Sequence, residues 1–100
     1  MTTLYHGTEK VDQIIENGFN TELVFLTPSL EMALEYGADV VEVEVLDSDL
    51  LIDLDQSASG VSVETANIYY GEDRSISDYI SIGHSVCCAS QCIKSVTNAF

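Results

Sequence analysis

From Leu23 to Val45 the chain spells out a strand, a helix and a second strand, and this succession restricts the fold more than any other stretch. Leu23-Val24-Phe25-Leu26 is a short apolar run of strand length. Thr27-Pro28 follows and predicts a helix start. Threonine is a favoured N-cap, and proline at the first helical position has no N–H to leave unpaired. Leu30, Ala33 and Leu34 then recur at i, i+3 and i+4, one apolar face of a helix, and Gly37 closes it. Val40 to Val45 alternates valine and glutamate, which predicts a half-buried strand.

The remaining segments extend this pattern. Thr3-Leu4-Tyr5-His6 predicts a buried strand ended by Gly7, and Thr8 is placed to cap a helix carrying Val11, Ile14 and Ile15. Asn17-Gly18 stops that helix. Leu50 to Leu54 reads as a strand, set off by Asp47, Ser48 and Asp49. The stretches Gln56 to Ser62 and Gly71 to Ser77 are polar and predict loops, while Val63 to Tyr70 reads as a short helix or an irregular segment. Tyr79-Ile80-Ser81-Ile82 and Ile93 to Val96 have strand character. Two early helices followed mainly by strands predict an α+β fold: a compact mixed or antiparallel sheet with two short helices at its side. At 100 residues the chain suits one domain over residues 1–100.

Charge narrows the partners. Seventeen acidic residues against three basic ones give a net charge of −14. Such a surface repels phosphate backbones, so direct nucleic-acid binding is disfavoured and a basic partner is expected. No apolar run approaches bilayer length, and Met1-Thr2-Thr3-Leu4 lacks a basic region followed by an apolar stretch, so the expected location is the cytoplasm. Cys87, Cys88 and Cys92, an odd number, suit a reduced compartment. With His84 they match no common zinc spacing, and buried free thiols are expected instead of a metal. No G-x-G-x-x-G or Walker A motif is present.

Three segments carry a resemblance. Leu4-Tyr5-His6-Gly7-Thr8 resembles the first-strand motif of the ADP-ribosyltransferase superfamily. Val24-Phe25-Leu26-Thr27-Pro28-Ser29 with Tyr36 resembles the second, and Phe25 and Tyr36 lie eleven residues apart, as the family's two aromatics do. Asp78-Tyr79-Ile80-Ser81-Ile82 resembles the third, an acid on a late strand. The similarity is nearest the diphtheria-toxin and poly(ADP-ribose) polymerase branch with its His-Tyr-Glu triad. It extends to small phage-encoded transferases, some of which act as anti-CRISPR proteins.

The resemblance implies a minimal ADP-ribosyltransferase-like fold and an NAD-dependent mono-ADP-ribosyltransferase, a glycosyltransferase by class, acting on a host macromolecule. Departure of nicotinamide from NAD⁺ leaves positive charge on the ribose, and a carboxylate nearby stabilises it and serves as general base. By resemblance that acid is Asp78, with His6 the other catalytic residue. His6 would also bond the adenosine-side ribose, the Gly7 backbone would meet the nicotinamide amide, and Tyr36 would stack on the ring. Thr8 completes the first motif, and Arg74 is the expected contact to the pyrophosphate. The chain departs from the family at three positions: Phe25 replaces the triad tyrosine but keeps a stacking surface, Ala33 stands where a serine contacts the nicotinamide amide, and Asp78 replaces glutamate. Thr27 or Ser29 is placed to substitute for that serine, and the shorter acid favours single transfer.

A second reading belongs to another class: a non-catalytic acidic inhibitor, its surface imitating DNA against a basic nucleic-acid-binding effector. A third, an RNA 2′-phosphotransferase relative, needs a basic site that a charge of −14 argues against.

Overall fold

The computed structural model describes residues 1–54 and 60–99 of the chain. Its frame is two antiparallel sheets, which confirms the α+β class. Strands β1 (Thr2–Thr8), β3 (Asp39–Val45) and β7 (Ile93–Asn98) form the first, with β3 in the middle. The second runs in the order β2 (Leu23–Leu26), β6 (Val86–Ala89), β4 (Leu51–Asp53) and β5 (Gly60–Val61). Four helices, α1 (Val11–Asn17), α2 (Leu30–Leu34), α3 (Val63–Tyr70) and α4 (Ile76–Ser81), are found among the described residues; α3 settles the segment that reads as helix or irregular, and α4 stands where a strand is expected.

The valine–glutamate alternation behaves as a strand with two unlike faces. Val41, Val43 and Val45 are fully buried, Glu42 is half-buried and Glu44 is exposed. Antiparallel pairing sets Leu4 opposite Val43, so both join the same apolar face. One buried cluster draws on both sheets, with Leu4, Val41, Val43, Val24, Leu26, Ile52, Val86 and Cys88 among its members.

Some local expectations need correction. Gly7 does not end β1, which continues through Thr8. Thr8 is not the cap of α1: its Oγ1 accepts from the Lys10 N–H at 3.0 Å, and Lys10 holds the N-cap position without a side-chain bond. Thr27 is not the cap of α2 either. Ser29 is, its Oγ accepting from the Met32 N–H at 3.2 Å, because the Thr27 backbone is engaged with Tyr5 of β1.

Gly7 supports this arrangement by lacking a side chain. A Cβ there would stand 1.8 Å from the Ala33 carbonyl oxygen, so α2 lies directly on the β1 backbone. Gly7 pairs with Val40, and α2 therefore covers the face of β1 and β3 opposite the main cluster.

The largest correction concerns Tyr79 to Ile82. Tyr79, Ile80 and Ser81 belong to helix α4, not to a strand. Ser75 is its N-cap: its Oγ accepts from the Asp78 N–H at 3.2 Å, and Asp78 Oδ2 accepts from the Ser75 N–H at 3.1 Å, a reciprocal capping box. Ile76, Tyr79 and Ile80 follow helical spacing, and Tyr79 is fully buried. The Tyr79 hydroxyl donates to Asn67 Oδ1 on α3, and Asn67 also accepts from the Arg74 N–H and donates to the Arg74 carbonyl. One asparagine thus ties the loop between α3 and α4 to both helices. Val63 to Tyr70 resolves as a helix capped by Ser62, with Gly71 in the left-handed conformation at φ 67° as its C-cap.

Within the loop expected over 56–62, Gly60 and Val61 form β5, and residues 56–59 lie outside the described residues. Among the described residues no helix is long and apolar enough to cross a membrane.

Candidate functional site

The two sheets meet at one backbone bridge. The Tyr5 N–H donates to the Thr27 carbonyl at 2.8 Å, and the Thr27 N–H donates to the Tyr5 carbonyl at 3.0 Å. Regular pairing between β1 and β2 does not extend past this bridge. A cavity of about 370 Å³ opens there, lined by Tyr5, His6 and Gly7 of β1, Phe25, Leu26 and Thr27, Met32 and Tyr36, and Asp53 and Ser85. A gap between diverging strands is a natural place for a ligand, because neither sheet fills it with its own backbone partners.

His6 is fixed by two contacts. Its Nδ1 lies 2.8 Å from the Phe25 carbonyl oxygen, and the carbonyl can only accept, so Nδ1 carries the proton and donates. Nε2 is thereby the ring nitrogen left for other partners. The ring edge also meets Phe19, with centroids 5.2 Å apart and planes at 85°. This bond ties β1 to β2 beyond the backbone bridge.

The aromatic walls come from two elements. Phe25 alternates with the buried Val24 and Leu26, which turns its ring to the open side of β2, where it is 37% exposed. Tyr36 follows α2, its N–H donating to the Ala33 carbonyl at 3.1 Å, and its side chain is 74% exposed.

The acid in the cavity is Asp53, and the sequence had not singled it out. It ends β4, and its N–H donates to the Ser85 carbonyl at 3.0 Å. Its Oδ1 is buried with no hydrogen-bond partner among the described residues. A buried polar atom left unpaired costs about 1–3 kcal/mol. An acid closing the apolar run Leu51-Ile52 was the available signal.

Of the residues singled out from sequence, the fold gathers His6, Gly7, Phe25, Thr27 and Tyr36 around the cavity. Thr8, Ser29, Arg74 and Asp78 do not line it. Thr8 and Ser29 are occupied in the backbone bonds described above. Arg74 stands 3.6 Å from Glu72 and 5.8 Å from the centre of the Tyr79 ring. Asp78 is occupied at the start of α4. The first two segments of the resemblance therefore converge, and the third lies elsewhere. Tyr5, Leu26, Met32, Asp53 and Ser85 are the lining residues that sequence reasoning missed.

Strand β6, which pairs with β2 and β4, carries two buried thiols. Adjacent Cys87 and Cys88 are both fully buried, on opposite faces of β6: Cys88 pairs with Val24, and Cys87 with Phe25 and Leu51. Burial pushes the Cys87 thiol up to about 11, and the nearby negative charge of Asp53 adds to the shift. Burial likewise raises the Cys88 thiol to about 11, with smaller contributions from Cys92, Cys87 and Asp49. In the unfolded chain these thiols ionise near 9.0. Between about pH 9 and 11 the unfolded chain therefore releases protons that the folded chain keeps, so stability falls as pH rises through that window. Denaturant midpoints measured across it should drop steadily, and a flat profile would contradict the burial of both thiols.

The described residues hold no group of three His, Cys, Asp or Glu placed to bind a metal ion. No family model, curated protein or solved structure matches this chain.

Proposed function

We propose that this protein binds NAD⁺ in the cavity between its two sheets and transfers ADP-ribose to a macromolecular acceptor, as a mono-ADP-ribosyltransferase with Asp53 as its acid. One observation carries the reading. His6, the aromatic faces of Phe25 and Tyr36, and the acidic residue Asp53 line one cleft. Two segments that resemble the transferases from sequence supply the first three, although they are far apart along the chain.

The chemistry follows from these groups. The bond between ribose C1′ and the nicotinamide nitrogen breaks, and its electron pair leaves with nicotinamide, which becomes neutral. A lone pair of the acceptor forms the new bond to C1′, and the acceptor's proton is released. Asp53 stabilises the positive charge that develops on the ribose and is placed to receive that proton. Tyr36 and Phe25 offer ring faces that hold the planar nicotinamide in one orientation. Nε2 of His6 is available to a ribose hydroxyl. Gly7 keeps the wall close-packed where its backbone meets α2.

A second reading has its own support. Phe25 lacks the triad hydroxyl, and no lysine or arginine is among the cavity-lining residues to meet a pyrophosphate. Both features suit an acidic inhibitor that works by binding alone. Calorimetry with NAD⁺ and label transfer from radioactive NAD⁺ into a cell lysate separate the two. Binding with transfer supports the enzyme, and binding without transfer leaves a ligand-holding relative. The absence of both overturns the NAD⁺ reading.

Asp78→Ala provides an internal check. It removes half of the capping box, so stability should fall by about 1 kcal/mol. NAD⁺ affinity and transfer by the folded protein should remain within about twofold of the wild type, since Asp78 does not line the cavity. Loss of transfer in a variant that still folds would return the catalytic role to Asp78.

A further inference from the structure

Three of the large apolar side chains left exposed by this fold gather at the cavity mouth: Tyr36 at 74%, Met32 at 46% and Phe25 at 37%. On α2, Met32 and Tyr36 are four residues apart, and so are Glu31 and Glu35. Glu35 keeps the right-handed helical conformation at φ −71°, so both rows persist to the helix end. Ala33 is buried against β1, which turns these two rows outward. An apolar row and a carboxylate row thus lie side by side at the entrance. No lysine or arginine occurs in α2 or lines the cavity, so neither carboxylate has a basic neighbour there.

We propose that this outward side of α2 is the docking surface for an arginine- and lysine-rich acceptor protein. The surface matches the two-part chemistry of such side chains. Their aliphatic stems cover Met32, their cationic heads reach Glu31 and Glu35, and a guanidinium plane stacks on the exposed Tyr36 ring. A net charge of −14 draws a basic partner in from a distance and repels nucleic acid. The surface borders the cavity, so a docked segment has its side chains beside the reactive centre. This names the acceptor class of the transfer proposed above and rests on that reading for its purpose. The surface itself is tested without NAD⁺.

The probe is a fluorescein-labelled oligo-arginine peptide followed by anisotropy. Wild-type protein should bind it saturably, and E31Q/E35Q should weaken binding by about tenfold. A control double variant, E16Q/E44Q, removes the same charge at exposed positions on α1 and β3 and should change affinity by less than about twofold. Calorimetry with NAD⁺ should give the same result for E31Q/E35Q as for the wild type, while label transfer to an arginine-rich protein falls. No peptide binding by the wild type, equal weakening in both double variants, or equally tight binding of a labelled DNA duplex would each overturn the docking surface. Failure of NAD⁺ binding alone would overturn the transferase and leave the peptide result standing.

Discussion

Asp53→Asn should lower ADP-ribose transfer by about 100- to 1,000-fold while the protein stays folded. The substitution keeps the shape of the side chain and removes its charge. A positive charge developing on the ribose then loses the carboxylate that stabilises it, and this kind of electrostatic loss has that magnitude. Stability should not fall with activity, because a half-buried carboxylate with an oxygen unpartnered among the described residues does little to hold the fold together. A second readout comes from Cys87. Its thiol is held up at about 11 partly by the charge of Asp53, so the variant should titrate this thiol at lower pH. Transfer within threefold of the wild type, in a protein whose Cys87 titration has moved as expected, would remove Asp53 from the chemistry.

Gly7→Ala should lower stability by about 3 kcal/mol, or roughly 12–24 °C in Tm for a domain of this size. The added Cβ would meet the Ala33 carbonyl oxygen at 1.8 Å and the Ala33 carbonyl carbon at 2.9 Å. Both are backbone atoms of α2, so no side chain can rotate away. Relief requires α2 to move off β1, which carries Met32 and Tyr36 away from the cavity and weakens whatever binds there. A thermal melt followed by circular dichroism measures the first effect, and NAD⁺ calorimetry below the melting range measures the second. A variant that melts with the wild type would show that α2 does not rest on β1 at this point.

Much of the fold was legible because local pattern and tertiary demand agreed. The alternation from Val40 to Val45 needs one wet and one dry face, and β3 has both. His6 and Gly7 on one segment, and Phe25 and Tyr36 on another, were grouped from sequence and do share the cavity. The segment after Asp78 is a helix where a strand is expected, because Tyr79-Ile80-Ser81-Ile82 has strand character only when taken alone. Read from Ser75, the same residues carry a capping box and the helical spacing of Ile76, Tyr79 and Ile80. Burial of Tyr79 and its bond to Asn67 then favour the helix over the strand.

The sequence by itself determined the strand–helix–strand unit from Leu23 to Val45 and the acidic surface, which rest on short-range spacing and composition, and its resemblance to the transferases picked out five of the residues around the cavity. Tertiary structure alone decided which acid joins them. Asp53 and His6 belong to different sheets, and Asp53 reaches the cavity because β6 inserts between β2 and β4 although it follows both in the chain. Such an order satisfies backbone hydrogen bonds and burial over the whole molecule, and no short window of residues records it.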